Sequence, residues 1–225
     1  MGLVRFETDI KEDIKNLVIC CKSGSFKNKD ASHIIPSELY ELIKDKGPEE
    51  IGDIVKGFVV KYYKSNKTYI SKIIEISAGI WREIEEDFLR QLEVVTGKQL
   101  ELNSVVACAT MARRCPYNSE EKWFMFHLFA HPLQVNKICA HEIMHLHIID
   151  QFDAELSGLS QEEKFILLES LTVLLNQPEF SNIIYAPDKG YKAHEAVRSK
   201  ISKLWQSKKD FNALLEEIIK IIKHK

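Results

Sequence analysis

A chain of 225 residues is long enough to bury a core and to fold as one compact unit. Its 31 Lys and Arg balance 33 Asp and Glu to a net charge of −2, so no global basic excess points to nucleic acid or an anionic membrane surface. No apolar run approaches the roughly 18 residues of a membrane span, and Met1 to Asp9 reaches acidic residues before any apolar signal stretch can form, so the expectation is a cytoplasmic protein.

Near the N-terminus, Ser23-Gly24-Ser25 and Lys46-Gly47-Pro48 read as loops. From about Pro48 to Gly97 the apolar residues recur at three- and four-residue steps: Ile51, Ile54, Val55 and Phe58, then Ile74, Ile80, Ile84, Phe88, Leu89 and Leu92. This spacing predicts a pair of long helices ending at Gly97, with Lys, Glu and Arg on their solvated faces. After Gly97, Ser104 to Thr110 and Trp123 to Phe129 are short, β-branched or aromatic, and flanked by turn residues such as Pro116-Tyr117-Asn118; both read as strands. Helical periodicity returns over Val135 to Ile149, Gln161 to Asn176, His194 to Trp205 and Phe211 to Ile222. The class is therefore α+β, with residues 1–97 a mostly helical region packed on a catalytic region of residues 98–225. The five cysteines are odd in number, with Cys20 and Cys21 adjacent and no C-x-x-C pair, and read as reduced thiols.

The chemistry concentrates in His141-Glu142-Ile143-Met144-His145. Histidines four apart on a helix lie one turn above each other, so both imidazoles can reach one metal ion, and zinc (Zn2+) suits the pair. Glu142 lies about 100° around the helix from His141, beside the metal and not between the ligands, where it can act as general base toward water. Ile138, Cys139 and Ala140 before the motif and Leu146, Ile148 and Ile149 after it are apolar or small, so two His and one Glu are set into a mostly buried helix. Burying such groups costs several kcal/mol, on the order of the desolvation penalty, unless they are paired or metal-bound. His147 points about 200° from His145 and belongs to the far face.

A catalytic zinc uses three protein ligands and keeps a fourth place open, so a third ligand is required. Glu169, 169 − 145 = 24 residues after His145, is a solitary carboxylate in the apolar stretch Phe165 to Asn176, and metal ligation explains its presence there. Thr172 and Asn176 continue its polar stripe and are placed to hydrogen-bond the ligands. His194 stays open as an alternative third ligand. The remaining His33, His127, His131 and His224 carry no ligand spacing, although His127 lies on a presumed strand beside the cleft.

Across roughly residues 100 to 200 these features resemble a gluzincin, the zinc metallopeptidase group that combines HExxH with a Glu from a following helix; in its small size the chain is similar to the minimal forms. Ile148 and Gln151 stand where a metzincin has Gly and a third His, which excludes that pattern. The resemblance implies a zincin-like domain with a small antiparallel or mixed sheet, and an edge strand, at Trp123 to Phe129, that takes an extended peptide by main-chain hydrogen bonds. It also implies an acidic residue four after the ligand Glu, a place held here by Val173, and a Tyr or His facing the developing oxyanion. Tyr191 and His194, at a Gly turn leading into a helix, supply that pair.

The resulting expectation is a zinc metallopeptidase acting on peptide or protein substrates. His141, His145 and Glu169 hold the metal, Glu142 is general base, and Tyr191 or His194 stabilises the oxyanion. Two alternatives stay open at this point: a non-catalytic zinc-containing interaction or regulatory module, and a zinc hydrolase of a non-peptide amide or ester. The oligomeric state is not legible in the sequence.

Overall fold

The computed structural model describes residues 2–22 and 31–223; the loop at Ser23-Gly24-Ser25 and His224 lie outside the described residues. The structure is α+β, with one four-stranded mixed sheet and ten α-helices among the described residues. It divides into two units interleaved in sequence, Met1–Ile80 with Ser104–Val135 and Trp81–Asn103 with Asn136–Lys225. No helix among the described residues is long and apolar enough to cross a membrane.

The first unit opens with β1 (Val4–Glu7), a four-residue strand too short to raise a sequence signal. Asp9 then turns the chain into α1 (Ile10–Lys22), its carboxylate accepting the Lys11 and Glu12 amides at 2.9 and 3.1 Å as an N-terminal cap. Next come α2 (Ser37–Ile43) and α3 (Pro48–Ser65), the latter started by Pro48 with Glu50 accepting the Gly47 amide. α4 (Lys67–Arg82) follows and runs to the boundary between the units.

Three helices occupy residues 48–97, not the expected pair, because the chain breaks at Asn66. There both the backbone N–H and the side-chain amide of Asn66 donate to the Tyr62 carbonyl, satisfying it locally and closing α3 before α4 begins. A second break at Glu83-Ile84 precedes α5 (Glu85–Thr96). Gly97 ends α5 as expected, in the left-handed conformation (φ 68°) with its N–H on the Glu93 carbonyl.

β2 (Val105–Thr110), β3 (Tyr117–Asn118) and β4 (Trp123–His127) complete the sheet in the order β1-β2-β4-β3. β1 pairs parallel with β2 and β2 parallel with β4, and only the short β3 runs antiparallel to β4. This corrects the edge-strand expectation for Trp123 to Phe129: β4 is flanked by β2 and β3, so most of its main-chain groups are already used in ladders. Parallel strands are characteristically buried on both faces, in line with the near-continuous burial of Ala107, Ala109, Phe124, Met125 and Phe126. Phe6 meets Phe126 edge to face at 5.4 Å.

One polar group lies at the heart of this unit. Asp13 of α1 is fully buried, and its carboxylate accepts from Thr110 Oγ1 at 2.6 Å, Tyr63 Oη at 2.9 Å and the Met111 amide at 3.2 Å. The network ties α1 and α3 to the end of β2. Asn16 extends it, bonding Thr110 Oγ1, the Arg114 carbonyl and the Arg114 guanidinium.

The second unit contains α5, α6 (Pro132–Gln151, from Asn136 onward), α7 (Asp153–Leu156), α8 (Gln161–Leu171), α9 (Glu195–Lys208) and α10 (Phe211–Lys223). The expected helix over Gln161 to Asn176 is α-helical only to Leu171 and tightens to 3-10 geometry over Thr172–Asn176. Its core gathers Phe88, Phe152, Phe180, Leu146, Ile148, Ile201 and Ile218, each worth about 1.5–3 kcal/mol if fully buried. Trp81 packs on Phe88 at 5.5 Å and Phe152 on Phe211 at 5.0 Å.

Burial pushes the Asp13 carboxyl up from 3.8 to about 6, against the lowering effect of its three donors. A folded-state value above the unfolded one means that the stabilising contribution is complete below about pH 4 and is lost as pH rises through about 6. The unfolding free energy from urea titration is expected to fall between pH 4 and 7 by an amount on the order of 3 kcal/mol from this group alone. In Asp13→Asn that pH slope should vanish, whatever the variant's absolute stability; an unchanged slope would show that Asp13 does not titrate in this window.

Candidate metal centre

α6 is buried almost all round: Cys139, Ala140, Ile143, Met144, Leu146 and Ile148 are inaccessible, as are His145 and His147. On this apolar rod His141 and His145 lie one turn apart with ring centroids separated by 4.4 Å. Glu169 reaches the same place from α8. That helix is phased by a capping box in which Ser160 Oγ accepts the Glu163 amide and the Glu163 carboxylate accepts the Ser160 amide. Leu167, Leu168 and Leu171 bury the helix and carry Glu169 inward with them.

The three expected ligands therefore meet. One donor atom from each of His141, His145 and Glu169 lies within 4.8 Å of the other two, and among the described residues this is the only such group of three. His141 Nε2 is 3.5 Å from Glu169 Oε2. Glu142 is buried beside the group and not part of it; its Oε2 has no hydrogen-bond partner among the described residues, and His145 Nδ1 lies 3.7 Å away. Two imidazoles, one carboxylate and an adjacent unsatisfied oxygen fit a metal ion, because buried groups of this kind are otherwise costly.

The orientation of His141 comes from a residue that the sequence did not single out. Asp188 Oδ2 lies 2.8 Å from His141 Nδ1, which leaves Nε2 facing Glu169. Asp188 is itself held on every side. Its Oδ1 accepts from Arg198 Nη2 at 2.8 Å and from Thr172 Oγ1 at 3.0 Å. Its backbone N–H donates to Asn176 Oδ1 at 2.8 Å, and its carbonyl accepts from Asn176 Nδ2 and Arg198 Nη2 at 2.7 and 2.8 Å. Arg198 Nη1 donates to the Glu169 carbonyl and to Thr172 Oγ1, both at 2.8 Å, so one guanidinium ties α8 to the Asp188 loop.

Gly190 makes this packing feasible: at φ 59° it lies over Arg198, and a Cβ there would fall 2.6 Å from the guanidinium carbon. Thr172 and Asn176 thus support the site as expected, but through Asp188 and not by bonding the ligand side chains. Val173, four residues after Glu169, is apolar, and the acidic partner of His141 is Asp188.

The charges are strongly coupled. Burial pushes the His141 imidazole down, but Asp188 and Glu169 outweigh it and raise it to about 10. Burial pushes Glu142 up to about 8, opposed by the charge of His141. His145 is held well below its usual range by burial and by the charge on His141. Asp188 lies far below the usual carboxylate range because His141 and Arg198 overcome its desolvation. His141 contacts both Asp188 and Glu169, so a cation bound by the group would compete with a proton for this imidazole.

The other histidines take different roles. His147 lies on the far face of α6, where its Nε2 is 2.9 Å from Thr96 Oγ1; the Thr96 hydroxyl donates to the Leu92 carbonyl, so the imidazole is the donor. His194 and Tyr191 pack with Phe165, with ring centroids 5.5 to 5.7 Å apart. His127 meets Phe129 edge to face at 5.5 Å, and burial pushes it down to about 4. His131 accepts the Leu133 amide at the start of α6. Compared with known protein families, curated proteins and solved structures, the chain shows no significant match.

Because Asp188 orients His141, Asp188→Asn is expected to weaken the affinity of the group for an added divalent cation, with zinc as the probe, about 10- to 100-fold. Competition with a chromophoric chelator measures this directly. Unaltered affinity would mean that the Asp188–His141 contact does not prepare the ligand.

Proposed function

We propose that this protein is a zinc-dependent metallopeptidase of the gluzincin type that hydrolyses peptide bonds. The observation that carries the reading is the convergence of His141, His145 and Glu169 with Glu142 buried beside them but outside the group. Two imidazoles and one carboxylate are a catalytic zinc donor set, whereas closed structural sites use four protein ligands. When bound, zinc supplies Lewis-acid polarisation of a carbonyl and of water.

The chain's own residues supply the rest. Glu142 takes a proton from the water whose oxygen bonds to the carbonyl carbon, and returns it to the nitrogen as the C–N bond breaks. Burial raises the basicity of the Glu142 carboxylate, which suits a group that must accept a proton and then pass it on. Asp188, locked by Arg198, Thr172 and Asn176, keeps His141 turned and its basicity high. Tyr191 or His194 donates to the oxygen that becomes negative; such donors are worth about 3 kcal/mol each. Balanced surface charge fits a cytoplasmic enzyme with peptide or protein substrates.

The test is to load purified protein with zinc and assay unfolded protein, peptide pools, and simple amides and esters, with and without a chelator. Peptide cleavage that the chelator abolishes is expected. Glu142→Gln should retain about one equivalent of zinc yet lose roughly 10²- to 10⁴-fold in kcat. Full activity in that variant would overturn the mechanism, and turnover confined to non-peptide amides or esters would overturn the substrate assignment.

A further inference from the structure

Phe165 is a large apolar side chain that remains 47% exposed on the helix that carries Glu169. The two are four residues apart, hence on one face of α8. Helical side chains lean toward the N-terminus, which sets the Glu169 carboxylate over the turn that bears Phe165. The ring is not isolated. Its centroid lies 5.7 Å from that of Tyr191, itself 44% exposed, and 5.7 Å from that of buried His194, while those two are 5.5 Å apart.

Three mutually packed rings thus form a partly open aromatic surface one helical turn from a ligand residue. Tyr191 follows Gly190, which is held in a left-handed conformation against Arg198, so the lock on Asp188 also fixes the backbone that presents Tyr191. A partly exposed aromatic surface on rigid supports, on the same helix face as Glu169, has the character of a ligand subsite and not of a solvated helix face.

Resting on the peptidase reading above, we propose that Phe165, with Tyr191 and His194, forms a specificity subsite for a large aromatic side chain of the substrate at the residue adjoining the cleaved bond. Edge-to-face and offset contacts with these rings favour an aromatic guest over a small one by more than burial alone. Phe165 is the specificity-determining residue here, because it offers only apolar surface and no titratable or hydrogen-bonding group.

The experiment compares a blocked all-alanine hexapeptide with the same peptide carrying one central Phe. The zinc-loaded protein should cleave the Phe peptide at a bond adjoining Phe, with kcat/KM at least about ten-fold above the alanine parent. In Phe165→Ala that preference should collapse toward unity, and Phe165→Tyr should restore it; far-ultraviolet circular dichroism and zinc content establish that the variants are folded and loaded. A preference unaffected by Phe165→Ala, or no preference in the unaltered protein, overturns the proposal.

If the protein cleaves neither these peptides nor the peptide pools, the peptidase reading fails by itself. The subsite is then read by calorimetric binding of the same two peptides to zinc-loaded Glu142→Gln. Tighter binding of the Phe peptide that Phe165→Ala removes supports the subsite; equal binding, or none, overturns it.

Discussion

The hydrogen bond between His141 and Asp188 connects the candidate metal group to the structure around it. A histidine placed by helical spacing alone can rotate, and either ring nitrogen can face the cluster. With Nδ1 engaged by Asp188, Nε2 is the nitrogen left facing Glu169. Asp188 can perform this role because its own position is overdetermined, with both its backbone groups and its second carboxylate oxygen occupied. Arg198 then extends the restraint to α8 through the Glu169 carbonyl. The guanidinium bonds four acceptors on three residues, so the loop, the 3-10 segment and α8 are positioned relative to one another by one planar side chain.

The desolvation that makes α6 costly to bury also prepares its chemistry. A glutamate in water is a fully ionised, weak base; burial pushes the Glu142 carboxyl up, with the charge of His141 opposing the shift. His145 is driven toward its neutral, ligand-competent form by the same burial. The opposite shifts on two histidines of one helix follow from neighbours: His141 has two carboxylates in contact and His145 has none as close. A comparable balance without any metal group appears in the first unit, where Asp13 is buried among three donors and no facing cation.

Local signals in the chain were informative where the physics is local. The i, i+4 spacing of His141 and His145 places both rings on one helical face whatever the fold. An apolar context around Glu169 implied that the carboxylate is buried, and it is. Gly97 stops α5 because only the left-handed region is required of it. Between Pro48 and Gly97, however, apolar periodicity runs on through Asn66, whose helix-ending effect depends on a side-chain bond that competes with the backbone. β1 was invisible because a four-residue strand is specified by its partner β2, not by its own pattern.

What the sequence determined by itself is the helix-borne part of the site: two imidazoles and a carboxylate at fixed angles on α6, and a second acid on an apolar helix. Those relations depend only on helical geometry and on the cost of burying charge. Tertiary structure alone decided that the three donors meet, that Asp188 from a loop 47 residues beyond His141 turns the ring, and that β4 is enclosed between β2 and β3. The reason is the same in each case. Loops and sheet order have no periodicity, so the residues they bring together are chosen by packing and by the need of every buried polar group for a partner.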